Sequence, residues 1–262
     1  MKLPKITNQQ QAILFLLYQQ RFMDRTHIQT LMHHKDKRRI SAWLKDLREK
    51  HFIEWIYDRD SFVEKTKPAV YYLGLNGIRY LKTVGAYPVA ELRKRYKESS
   101  RQQSFITRCM LITECCVTLE SSRAGTTQYS YVTEADYVKP DNIYNFLSEL
   151  RPHLCYEKKE GKRVTNYLLE VFDMTTPHYM IKKRLKEYVD YLDSSDWEDA
   201  TGDKWPPIVL IACPSTAVLT FVKRRVRKQL EDANSSERVH VRFATTDKIR
   251  ANGVNGMIWE EA

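Results

Sequence analysis

Hydrophobic positions in the first fifty residues recur at the three- and four-residue spacing of helices buried on one side. TNQQQAILFLLY predicts a helix over 7–18, with Thr7 or Asn8 as cap and Ile13, Leu14 and Leu17 on one face. Thr26 reads as the cap of a short second helix, THIQTLMH, that buries Ile28, Leu31 and Met32. A third helix is predicted from about Asp36 to Lys50, with Ile40, Trp43, Leu44 and Leu47 as its buried stripe. The pattern then changes to alternation. Phe52, Ile53, Trp55, Ile56 and Tyr57 lead to the polar tip DRDSFVEKTKP, and Val70 to Leu73 returns, which predicts a β-hairpin with a long charged loop. Gly74 to Gly77 turns the chain into a helix holding Ile78, Tyr80, Leu81 and Val84. Three helices and a hairpin are the order of a winged helix-turn-helix, where the third helix is presented to the major groove and the hairpin loop to the backbone.

A second unit begins near Pro88. Ala90 to Ser121 reads as one long helix or two, with the polar stretch at 99–104 as the joint, and FITRCMLITECCVTL (105–119) as its buried part. Residues 121–133 are a loop leading to a strand. Asp141 opens the helix-like run DNIYNFLSEL, where it suits an N-cap. A hairpin follows, from Leu154 through a turn around Gly161 to the strand Val164 to Phe172. Then come a charged helix (Tyr179 to Leu192), an acidic loop (SSDWEDATGDKWPP) and a buried strand (Ile208 to Ala212). A basic helix (Ala217 to Leu230), the strand Val239 to Phe243 and a short tail complete the pattern. The expected fold is α+β. Residues 1–88 form the winged helix, 89–104 a helical connector, and 105–262 an α/β domain with a central mixed sheet.

Composition narrows the function classes. The longest apolar stretch is the seven residues Ala12 to Tyr18, well short of the roughly 20 needed to span a bilayer. Met1-Lys2-Leu3-Pro4 has no signal-peptide core. A soluble, cytoplasmic protein without a membrane partner is expected. Five cysteines show no paired CxxC spacing, so they read as small buried hydrophobes. Neither a P-loop nor a GxGxxG fingerprint occurs.

The net charge of +10 is unevenly placed. Residues 1–110 carry 22 Lys+Arg against 10 Asp+Glu, and the remainder 21 against 23. Concentrated positive charge attracts polyanions through counterion release, which makes double-stranded DNA the expected partner of the first part. Lys37, Arg38, Arg39, Ser41 and Lys45 on the third helix are the candidate contacts, joined by Arg59, Lys65 and Lys67 in the hairpin loop. The rival use of such a head is protein contact or dimerisation.

Nucleases of the restriction-endonuclease type place an acid after a proline on one strand and Glu-x-Lys on the next. The acids hold Mg²⁺ and the lysine serves the attacking water. Here the matching letters are Arg151-Pro152-His153 and Glu170-Val171-Phe172. Glu170 is present and is the candidate metal ligand, but a histidine replaces the first acid and a phenylalanine the lysine. Asp141, in Lys139-Pro140-Asp141, is a rival for the first acid, Asp173 follows Phe172 and should point to the opposite face of the strand from it, and Lys182, Lys183 or Lys186 could stand in for the amine. The sequence reading therefore assigns no catalytic residue and no cofactor. Mg²⁺ with Glu170, Asp173 and Asp141 belongs to the alternative of an active nuclease with a rearranged site. A winged-helix transcriptional regulator is a further alternative.

The winged-helix start, the apolar helix FITRCMLITECCVTLE, the strand ending Leu169-Glu170-Val171, Thr175-Thr176 and the helix with RLKEYVDYL resemble the replication-relaxation proteins of Gram-positive plasmids and integrative elements. The resemblance covers most of the chain. Members show Pro-Asp on the first strand and a Leu-Glu-Val-Asp-like second strand, from which His153 and Phe172 depart. It implies a restriction-endonuclease-like second domain without established catalysis. The implied role is that of a DNA-binding accessory factor in plasmid replication, DNA relaxation or conjugative transfer. Relaxase, replication or transfer proteins are the implied partners, and a homodimer stays open.

Overall fold

The computed structural model describes residues 3–57, 67–139, 142–233 and 239–261. The chain divides into two compact units, Met1–Thr113 with Val138–Asn142, and Glu114–Tyr137 with Ile143–Ala262.

The first unit opens with α1 (Asn8–Gln20), α2 (Arg25–Leu31) and α3 (Lys37–Glu49). Thr7 caps α1 in a capping box with Gln10. Asp24, not Thr26, caps α2. Its carboxylate accepts from the His27 N–H, and the His27 ring reaches back to the Asp24 N–H. Thr26 is exposed one position inside the helix, and Leu31 and Met32 are only half-buried, because the stripe of so short a helix reduces to Ile28. Ile13, Leu14 and Leu17 meet Ile28, Ile40, Leu44 and Leu47 in one core. Strands β1 (Ile53–Ile56) and β2 (Val70–Leu73) pair antiparallel, Ile53 opposite Leu73 and Ile56 opposite Val70. This is the winged helix-turn-helix expected from the sequence.

Helix α4 (Leu75–Val84) follows at once, and its Gly77 lets the helix lie on the hairpin. A Cβ there would collide with the Phe52 carbonyl oxygen. The expected joint in the next helical stretch is present. Helix α5 (Val89–Lys94) runs into a 3-10 turn (Arg95–Ser100), and α6 (Gln103–Ser121) starts after it. That turn buries Glu98, 1% exposed, under three arginines. Arg21 grips it with two hydrogen bonds at 2.9 and 3.0 Å, and Arg95 and Arg101 approach to 3.7 and 3.5 Å.

The second unit is built on a six-stranded mixed sheet in the order β3-β4-β5-β6-β7-β8. β3 (Thr127–Thr133), β4 (Leu154–Glu160) and β5 (Arg163–Val171) form an antiparallel meander. Gly161, at φ +61°, supplies the left-handed backbone of the tight β4–β5 turn. β6 (Ile208–Cys213) and β7 (Val241–Thr245) continue parallel to β5. The chain crosses between them through α7 (His178–Asp193) with α8 (Asp196–Thr201), and then through α9 (Thr216–Ala233). The mixed sheet with crossover helices is the α+β arrangement expected.

Three expectations are corrected. In the described part of the run, residues 142–150, there is only a 3-10 turn at Asn145–Leu147, with Ile143 81% exposed and Leu147 and Leu150 buried. The acidic loop contains α8, anchored by the buried Trp197. The tail is not irregular: Thr245 caps α10 (Thr246–Asn252), and β8 (Glu260–Glu261) pairs antiparallel with β7. Alternation along β5 sends Leu168 and Glu170 to the face covered by α7, and Tyr167 and Leu169 to the other. All five cysteines are buried and none forms a disulfide, and burial pushes the Cys213 thiol up to about 12. Among the described residues no helix is long and apolar enough to cross a membrane.

Candidate functional site

Helix α3 owes its orientation to Ile40, Leu44 and Leu47, which are essentially inaccessible. At about 100° per residue, Arg38, Ser41 and Lys45 fall within about 60° of one another on the outward side, and Arg39 lies on the other flank. Lys37, Arg38, Arg39, Ser41 and Lys45 are all exposed. The Ser41 hydroxyl donates to the Lys37 carbonyl (3.0 Å), leaving its lone pairs outward. Asp36 caps the helix, accepting from the Arg38 and Arg39 N–H groups at 2.8 and 3.2 Å. Those hydrogen bonds, Arg39 first and then Arg38, hold its carboxyl below the usual range. The carboxylate is thus committed to the helix end, not to the arginine side chains.

Arg48, next along this helix, is used differently. Its guanidinium lies 3.6 Å above the Trp55 ring, and Trp55 faces Tyr71 across the hairpin at 6.1 Å. A stacked cation of this kind fastens the hairpin root to α3. Lys67 is exposed on the returning strand side. Arg59 and Lys65 lie outside the described residues.

In the second unit, Glu170 is 5% exposed and its two oxygens are both engaged. Oε2 accepts from Arg184 (3.0 Å) and from the Tyr188 hydroxyl (2.8 Å), while Oε1 faces His153 Nδ1 at 3.4 Å. Arg184 also donates to the Arg151 carbonyl (3.1 Å) and to Glu187 (3.0 Å). Arg151 sits at φ +45°, so this bond braces a left-handed residue at the entry to β4. His153 Nδ1 accepts from the Val171 N–H (3.1 Å), which places the ring proton of a neutral imidazole on Nε2. Its ion pair with Glu170 exists only when the ring is doubly protonated, and that state would cost the Val171 N–H its acceptor. Arg184 is therefore the cation that holds Glu170 in either state. Burial raises the Glu170 carboxyl, but His153, Arg184 and the Arg184 and Tyr188 hydrogen bonds outweigh it and hold the group below its ordinary value.

The other nuclease candidates do not converge on Glu170. Asp173 lies beyond the end of β5 and accepts from Thr175 N–H, Thr175 Oγ1 and Thr176 Oγ1 at 2.7–3.0 Å, shaping the turn into α7. Asp141 lies outside the described residues. Phe172, at the lysine position, is 3% exposed in the core. Lys182 and Lys186 stand about 200° around the helix from Arg184, and Lys186 pairs instead with Asp190 at 2.6 Å. Lys183 is exposed, 3.9 Å from Glu187. Among the described residues no group of three His, Cys, Asp or Glu side chains could hold a metal. A divalent cation at Glu170 would have to displace the Arg184 guanidinium from Oε2.

Arg184 and Tyr188 escaped the sequence reading, which looked among the lysines. The signal was there: Ile181, Leu185, Tyr188 and Leu192 form the buried stripe of α7, and Arg184 lies on it. On α9, Arg224, Arg227 and Lys228 are exposed, while Lys223 lies 3.8 Å from Glu260.

The family model described as replication-relaxation matches residues 14–204. No curated protein matches the chain. Among solved structures, a mutant of Lactococcus lactis ZitR is similar at 18% identity over 37% of this chain and 60% of that one, with a TM-score of 0.26. The restriction endonuclease FokI is similar at 9% identity over 95% of this chain and 45% of that one, with a TM-score of 0.32. The chain thus spans 60% of the ZitR chain's length and 45% of the FokI chain's.

Proposed function

The chain belongs to the replication-relaxation family, and on that premise we propose that it is a DNA-binding accessory protein with no catalysis of its own. It would act in the replication, relaxation or conjugative transfer of a plasmid or other mobile element. The observation that carries the reading is the outward face of α3, where cations surround Ser41 on a helix whose opposite face is locked into the core. Arg38, Ser41 and Lys45 are assigned to the groove, and Lys37, Arg39 and Lys67 to phosphates, with Arg59 and Lys65 extending the wing contact. Groove contacts read sequence and phosphate contacts set affinity and register.

The second unit serves as a platform in this reading. Glu170 is neutralised by Arg184, so the internal guanidinium takes the place that a metal would hold in a nuclease. Exposed cations on α9 offer a second DNA surface or a docking surface for a relaxase, another replication or transfer protein, or a second copy.

The test is duplex binding followed across salt concentrations. Each lost phosphate contact lowers the slope of log K against log salt by about 0.9. Lys37→Ala with Arg39→Ala should therefore flatten the slope by about 2, and Arg38→Ala with Lys45→Ala should lower discrimination between sites. An unchanged slope in the first variant together with unchanged discrimination in the second would refute the assignment to α3.

A further inference from the structure

The sheet face opposite Glu170 carries an unusual set of side chains. Tyr129, Tyr156, Tyr167 and Trp259 line a cleft of about 320 Å³, with Lys158 and Arg242 beside them. Strand register explains the gathering. Tyr156 and Tyr167 face each other across β4 and β5, and Tyr129 is registered with Lys158 across β3 and β4. The Tyr156 and Tyr167 rings stack at 4.6 Å and 13°. Tyr156 is 3% exposed, so it forms the floor of the cleft rather than its rim.

We propose that this cleft holds one unpaired base of a single DNA strand, stacked on the tyrosine–tryptophan walls with its phosphates on Lys158 and Arg242. The volume lies at the small end of the range for ligand sites, about 300–1,000 Å³, which suits one nucleotide and excludes a duplex. Aromatic walls flanked by cations are the two elements that single-strand sites combine, since every base has a face to stack and every nucleotide a charge to neutralise. Both cations are released easily. Lys158 pairs with Glu160 at 2.8 Å and Arg242 with Glu261 at 3.0 Å, and these carboxylates are 48% and 71% exposed. Such surface pairs contribute little and can yield to a phosphate. Lys162 and Arg163, both exposed at the adjoining β4–β5 tip, continue the positive path away from the cleft. The site is separate from the α3 face and does not depend on the head binding duplex.

The experiment uses the full chain and a trinucleotide with central 2-aminopurine, too short to form a duplex, whose fluorescence falls when the base stacks. Saturable quenching is expected. Tyr167→Leu should weaken it about tenfold or more, whereas Tyr167→Phe, which keeps the ring, should stay within about twofold. Lys158→Ala with Arg242→Ala, both at the rim, should weaken binding and flatten its salt dependence. Arg38→Ala with Lys45→Ala should leave the quenching unchanged while impairing duplex binding. Absence of saturable quenching, equal quenching in the rim variant, or loss of quenching in the head variant would each overturn the proposal.

Discussion

Replacing Arg184 with methionine removes the cation that compensates a buried carboxylate while keeping most of the side chain's volume. At the observed 3.0 Å, and at an effective dielectric of about 20, the Coulomb attraction is about 5–6 kcal/mol. Part of that offsets the desolvation of the guanidinium, whose side chain is 19% exposed. Breaking such a pair from one side typically costs about 3–5 kcal/mol, because the remaining charge stays buried. The Tyr188 hydroxyl remains on Oε2 at 2.8 Å and keeps the loss toward the lower end. Hydrogen exchange read by mass spectrometry on β5 and α7 peptides isolates this unit from the head. Protection there should fall by a factor on the order of 10² to 10³ at neutral pH. The sign of the pH dependence follows from the direction of the shift. In the native protein the Glu170 carboxyl is held low, so its contribution is full above the unfolded carboxyl value and is lost as pH falls through the folded one. In Arg184→Met desolvation dominates and the carboxyl rises, so protonation relieves the buried charge and the deficit against wild type narrows from about pH 7 toward about pH 5. Adding Glu170→Leu should restore most of the protection, since an apolar pair can replace an ion pair at little cost. A tenfold or smaller loss in Arg184→Met, or a deficit that widens on acidification, would refute the account of this site.

Gly77→Ala should destabilise the winged helix by about 2–3 kcal/mol or more in denaturant unfolding, because the new Cβ would collide with the Phe52 carbonyl oxygen. Glu98→Gln should lower the stability of the first unit by about 3 kcal/mol, leaving Arg21 and Arg95 without the carboxylate they share. Asp24→Ala should cost about 1 kcal/mol through the lost α2 cap. Gln at position 24 would not restore it if cap geometry, rather than side-chain polarity, is the cause.

The winged helix was legible because its information is local. The three-and-four spacing of Ile40, Leu44 and Leu47 fixes which way α3 faces, and the same spacing leaves Arg38, Ser41 and Lys45 outward. Strands β4 to β7 were legible for the same reason, as apolar runs bounded by Gly161, Pro207 and Pro214. The partners of buried charges were not. Glu98 and its arginines are separated by up to 77 residues, and nothing in the local pattern of RYKESS marks its one glutamate as interior. Glu170 was found through its motif, but its partner depends on the phase of α7 against the sheet. A search for the residue type a nuclease would use passed over Arg184, which lies on the buried stripe. Elements α8, α10 and β8 are short, and tertiary anchors such as Trp197 decide them more than periodicity does.

The most direct test of the central claim is to incubate the protein with labelled plasmid DNA and Mg²⁺ or Mn²⁺, scoring binding and strand cleavage in the same samples at two salt concentrations. Salt-sensitive binding is expected, lost in the Lys37→Ala, Arg38→Ala, Arg39→Ala triple variant, with the DNA left intact. Metal-dependent nicking that disappears in Glu170→Ala would contradict it and make the second unit an enzyme.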